Sequence, residues 1–185
     1  MPKYNDIVDE LLAVQSTNDL GPGRPNEAMR AKLAALSTEK LCAPRPVSDH
    51  SMARGCLAGL WLYHDFLDES HQISQEIHTP PGSYWHGLMH RREPDYGNSK
   101  YWFQRVGRHP VFQSLTEAVT PLIAKEKHER VKTLIGSEGW DPFAFVDLCE
   151  ASQDAHSACH ELCRRVQRIE WGLLFAYCLE RATRP

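Results

Sequence analysis

The densest chemistry in the chain lies in Ser83-Tyr-Trp-His-Gly-Leu-Met-His-Arg-Arg-Glu-Pro-Asp-Tyr, where His86 and His90 are four residues apart and Glu93 follows three later. Residues three and four apart share a helix face, so HxxxHxxE puts two imidazoles and a carboxylate on one line. Imidazoles at i and i+4 can bind one metal ion, as in the HExxH pattern. There a Glu follows the first His; here Gly87 does, so this is not a zincin. The same set could do acid–base work, because histidine titrates near neutral pH. His86, His90, Glu93 and Asp95 are therefore the candidate catalytic residues. Arg91 and Arg92 could hold a carboxylate or phosphate in two-point fashion, and Tyr84 joins them as a candidate substrate contact. The competing reading is a solvated helix face opposite Tyr84, Trp85, Leu88 and Met89, with Glu93 paired to an arginine.

A second group precedes it. A long helix starting at Ser48 or Asp49 and reaching Ile77 or His78 would carry Ala53, Cys56, Leu57, Leu60 and Leu67 on its core face. His64, His71, Gln75 and His78 fall on the same face, with Asp68 beside them. Buried polar groups must find partners, so this stripe demands an explanation. His64, Asp68 and His71 are spaced as ligands or a relay would be. Alternatively the helix emerges from the core near Phe66, or breaks near Glu69-Ser70. Pro80-Pro81-Gly82 is expected to end it and turn the chain back, with Ser83 capping the next helix. That would set His86 and His90 against His71 and Asp68. The candidate metal set is accordingly His71, His86, His90 and Asp68, suited to zinc, iron or manganese, at a site between helices.

Other chemistry-bearing residues are weaker. His156 and His160 are also i, i+4, on the polar side of a last helix. Tyr101, Trp102, Phe103 and Phe112 lie near Arg105 and Arg108. Aromatics with interleaved arginine can stack bases, but they also read as core under snorkelling arginines. The six cysteines form no CxxC pair, and they are expected to be reduced and packed as small hydrophobes.

The elements that must position these groups are helical almost throughout. Apolar spacing predicts helices over Asn5–Gln15, Asn26–Leu41, Ser48–Ile77, Ser83–Arg92, Lys100–Val106, Val111–Lys125, Glu129–Leu134, Pro142–Ala151 and Asp154–Arg181. No Asn-Gly or Asp-Gly hairpin is visible. The expected fold is an all-α single domain over residues 1–185, a bundle or irregular array of seven to nine helices. Residues 1–47 form N-terminal helices and a linker; residues 48–185 form the main bundle.

With 185 residues, the chain can bury a sizeable core without a metal or disulfide staple. No stretch is long and apolar enough to suggest a membrane span, and MPKYNDIVDELLAVQ carries no secretory hydrophobic segment, so a cytoplasmic location is expected. The net charge of −3 argues against a general nucleic-acid binder. Charge is uneven, however: Tyr84 to His109 holds five Lys/Arg against Glu93 and Asp95, a local basic segment that could bind a small anion.

The words SYWHGLMHRREPDYGNSKYWFQRVGRHPVF, DFLDESHQISQ and WDPFAFVDLCE, spanning about Trp61–Glu150, resemble an uncharacterised family of helical bacterial and fungal proteins. The resemblance implies a helical fold and no particular activity. The chain is only loosely similar to DinB/YfiT-like metal-binding bundles, through length, helicity and the late His156/His160 pair. From the residues, the leading expectation is a small-molecule site, metal-bound or not, acting in hydrolysis or oxidation on an anionic substrate. The alternative is a non-catalytic helical interaction protein. Its histidines would be structural and its apolar last helix would form a homo-oligomer.

Overall fold

The computed structural model describes residues 4–14 and 19–184. The fold is all-α: 67% of the described residues are helical, and the only sheet among them has two short strands. The elements run α1 (Asp6–Ala13), α2 (Glu27–Ala34), α3 (Thr38–Cys42), α4 (His50–Tyr63), α5 (Leu67–Ser74), α6 (Pro80–Arg92), α7 (Tyr96–Val106), α8 (Pro110–Ile123), α9 (Glu129–Lys132), β1 (Ile135–Gly136), β2 (Gly139–Trp140), α10 (Pro142–Ala151) and α11 (His160–Ala182). The eleven helices among the described residues exceed the expected seven to nine because two long helices break. The second predicted helix stops after Ala34 and restarts at Thr38, where the Ser37 side chain caps the new turn. The expected end of the first helix at Gln15 lies outside the described residues.

The break that matters for function separates α4 from α5. The backbone N–H of His64 donates to the Leu60 and Trp61 carbonyls and closes α4. Asp65 follows with φ 64°, a left-handed conformation that Asp tolerates better than most residues. Its carboxylate accepts from Arg92 Nη2 at 2.6 Å, and the Phe66 ring packs edge-on against Trp61. A tertiary ion pair and a buried ring thus override a continuous helical pattern. The reversed chain enters α5 on a new axis, so His64 no longer shares a face with His71.

Pro80-Pro81-Gly82 open α6 rather than, as the sequence suggests, ending the helix before it: Thr79 accepts from the Gly82 N–H, and prolines occupy the first turn, where a missing N–H costs nothing. A Cβ at Gly82 would lie 2.2 Å from the Ile77 carbonyl, so only glycine permits this close α5–α6 connection.

Helix α6 is buried from Pro81 through Arg92 and has no solvated face. Trp85 lies against Gly59 of α4, where a Cβ would come within 2.6 Å of the indole. Ser99 of α7 donates to the Gly87 carbonyl at 2.8 Å. One apolar core gathers Leu60, Trp85, Leu88, Phe103, Leu174 and Phe175; a second gathers Leu115, Val119, Phe145, Leu162 and Val166. The 23 residues of α11, about 35 Å long, contribute to both. The apolar last helix is therefore a central element. Among the described residues no helix is long and apolar enough to cross a membrane.

Candidate functional site

His71 reaches the site from α5. Leu67, Ser70, His71 and Ser74 follow the i, i+3, i+4, i+7 spacing of one helix face, and Ser70 and Ser74 are buried. Small residues on that face let α5 approach α6 closely. His86 and His90 lie one turn apart on α6, both buried. The three imidazoles converge. Ring centroids are 4.7 Å apart for His71–His86, 5.4 Å for His71–His90 and 4.8 Å for His86–His90. One ring nitrogen from each lies within 4.8 Å of the others. Nitrogens bound to a tetrahedral zinc at ~2.0–2.1 Å stand about 3.4 Å apart, so closure around a metal requires the rings to draw in by at most about 1.4 Å.

The environment favours the neutral form of His86 and His90. Burial, then the neighbouring His90 and His71, pushes His86 down to about 3. Burial also lowers His90, against an upward pull from Glu93 and Asp95. The Nδ1 atom of His86 is buried without a hydrogen-bond partner among the described residues. Such an atom in a folded interior calls for an explanation. Trp102 of α7 stacks on the His86 ring, 4.0 Å away and 22° from parallel.

Glu93 and Asp95 meet His90 from the other side. His90 Nδ1 lies 3.0 Å from Glu93 Oε2 and 4.0 Å from Asp95 Oδ2. A carboxylate on one imidazole nitrogen fixes the tautomer and makes the other nitrogen a better metal donor. Asp95 has a second task. It caps α7 by accepting from the Asn98 backbone and side-chain N–H groups at 3.1 and 2.7 Å, and these bonds lower its pKa.

The remaining predicted residues go elsewhere. Asp68 is exposed and absent from the cluster: it shares α5 with His71 but lies about 60° round the helix, off the face that buries Ser70 and Ser74. His64 is buried beside Tyr63, and Gln75 and His78 are exposed. Arg91, Arg92 and Tyr84, expected to hold an anionic substrate, are committed to the interior. Arg91 is fully buried; its Nη2 donates to Glu170 Oε2 at 2.6 Å and its guanidinium lies 4.5 Å over the Phe145 ring. Tyr84 donates to the other Glu170 oxygen at 3.0 Å. Arg92 holds Asp65 and donates to the Gly21 carbonyl at 2.8 Å.

His156 and His160 do not form a pair on one helix. The segment before α11 is a series of turns with His156 exposed, while His160 begins the helix with its Nδ1 2.8 Å from the Ser152 carbonyl. All six cysteines are free and buried. Sequence reasoning noticed Trp102 only as an aromatic near arginines. Its place over His86 depends on how α7 packs on α6, which no local pattern encodes.

No family model, curated protein or solved structure matches this chain, and the site is argued from its own geometry.

Proposed function

We propose that the protein binds a divalent transition metal through His71, His86 and His90 and uses the remaining coordination positions for hydrolysis or oxidation of a small molecule. The observation that carries this reading is the convergence of three imidazoles from two helices, with nitrogens within 4.8 Å of one another. Three neutral nitrogen donors match the three-protein-ligand pattern of catalytic zinc sites, which leaves a position for water or substrate. An all-imidazole set suits zinc or iron better than manganese, which favours oxygen ligands. A metal so held makes bound water acidic enough to act as a nucleophile near neutral pH. In this reading Glu93 orients His90 and strengthens it as a donor. Asp95 supports the same nitrogen while capping α7. Burial keeps His86 unprotonated and ready to bind.

The non-catalytic interaction reading gains no specific support. The large hydrophobic residues exposed among the described residues are Ile7, Tyr101 and Phe143, on three different helices.

The test is elemental analysis of the untagged, purified protein and of His71→Ala, His86→Ala and His90→Ala. Near-stoichiometric metal that each substitution abolishes is the expected result. Absence of metal from the wild type, even after zinc, iron and manganese are supplied, overturns the proposal.

A further inference from the structure

The cations around the cluster differ in one respect. Arg91 is paired with Glu170, Arg92 with Asp65 and Lys100 with Asp147. Arg105 of α7 is exposed and has no carboxylate partner among the described residues. Its guanidinium carbon lies 5.4 Å from the Trp102 ring and 5.8 Å from the Tyr101 ring. Trp102 in turn stacks on His86 at 4.0 Å. These contacts run from the cluster through an indole to an unpaired positive charge. Tyr101, half exposed, stands edge-on to Trp102 at 5.4 Å and offers a second aromatic surface beside that charge.

Charge balance points the same way. Three neutral imidazoles leave a divalent ion uncompensated, and the carboxylate of Glu93 is turned to His90. An anionic oxygen ligand is therefore favoured in the remaining coordination positions, and a guanidinium fork is matched to a carboxylate. An aromatic body has rings to stack against.

We propose that the site takes a small aromatic carboxylate, with Arg105 as the specificity-determining residue that recognises its charge and Tyr101 and Trp102 as the surface that receives its ring. This rests on the metal reading above. It also moves anion recognition from Arg91 and Arg92, which the fold uses internally, to an arginine fourteen or thirteen positions later in the chain.

The experiment uses the Co²⁺-loaded protein, whose visible absorption reports the coordination sphere, titrated with benzoate and with neutral benzyl alcohol as control. Benzoate is expected to shift the spectrum saturably and benzyl alcohol to leave it unchanged. Arg105→Met should weaken benzoate at least about 10-fold, or about 1.4 kcal/mol, with Co²⁺ affinity unchanged. Arg105→Lys should recover part of the loss, and Tyr101→Ala should weaken benzoate a few-fold without touching the metal. Equal benzoate affinity in wild type and Arg105→Met, or no response of the wild type to benzoate, overturns this inference and leaves the metal centre standing. Failure of the wild type to take up Co²⁺ overturns both. Because Arg105 is exposed, its variants are expected to fold, and a circular dichroism spectrum matching wild type checks this.

Discussion

Two sets of polar side chains on α6 look equally functional in sequence and have opposite fates. On one side of the helix, Tyr84, Arg91 and Arg92 are buried with their charges answered: Glu170 takes Tyr84 and Arg91, and Asp65 takes Arg92. On the other, His86 and His90 are buried against a third histidine. No acid faces His86, and it keeps a nitrogen without a partner among the described residues. Burial alone therefore does not separate structure from function. What separates them is whether an opposite charge meets them: Glu170 answers Arg91 although the Arg91 Nε and Nη1 atoms have no hydrogen-bond partner among the described residues, whereas His86 meets two other imidazoles. A buried ion pair is answered within the fold, while in the proposed reading the cluster of like, desolvated bases is completed by a metal ion.

The largest effect should come from breaking the compensated side. Removing one member of a buried ion pair leaves an unanswered charge, so Arg91→Met should cost about 3–5 kcal/mol in urea unfolding. The double variant Arg91→Met/Glu170→Leu should return most of that loss, and metal content should be unaffected in whatever fraction folds. If the single variant is as stable as wild type, the contrast between the two sides collapses.

On the histidine side the loss should fall on metal rather than on fold. His86→Gln or His90→Gln should reduce metal affinity by roughly 100-fold or more, since each removes a direct ligand rather than an orienting partner. Competition with a chromophoric chelator measures this. Glu93→Gln keeps the hydrogen-bonding shape and removes the charge on His90, and should weaken metal by ~10- to 100-fold. An unchanged affinity would deny Glu93 its orienting role.

Acid titration sharpens the comparison further. In the metal-free protein His86 sits at about 3, against an ordinary value of 6.5. Between those values the unfolded chain holds a proton that native His86 does not. Stability therefore rises with pH through that window and is lost as pH falls, by up to ~1.4 kcal/mol per pH unit for each such group. His109, pushed down to about 4 by burial and by Arg181, adds to the loss between pH 6.5 and 4. Urea midpoints measured from pH 7 down to pH 4 should fall steeply in wild type. The fall should be shallower by about one proton in His86→Gln and again in His109→Gln. Bound metal should deepen the pH dependence, because protons and metal compete for the same nitrogens. The smallest effect is expected at Asp68, where Asp68→Asn should leave metal affinity within about 2-fold. A larger loss there would mean that α5 turns its other face to the ion.

Some of this was legible from residue spacing. The i, i+4 relation of His86 and His90, with Glu93 one turn on, is a local property of any helix through that segment, and so is the apolar stripe of α4. The Asp141-Pro142 start of α10 follows the same kind of local rule, since Asp141 caps and Pro142 takes the first turn. Thr79-Pro80-Pro81 obeys that rule too; read as a helix start rather than a stop, it would have placed α6 correctly. The partners of Arg91 and Arg92 were beyond such reasoning. Glu170 lies 79 residues from Arg91, and Asp65 lies 27 from Arg92.

Sequence alone thus determined the helical class, the two histidines one turn apart and the presence of His71 in a polar run ahead of them. These depend on periodicity and on short-range backbone sterics, which act within a few residues. The tertiary structure decided where the helix breaks, which parts His64 from His71, and which face of α5 meets α6, which brings in His71 and leaves Asp68 exposed. It also decided which arginines are neutralised and which remains open, and that an indole covers His86. Those outcomes depend on contacts between residues far apart in the chain, where burial makes each charge meet its opposite or lose its proton.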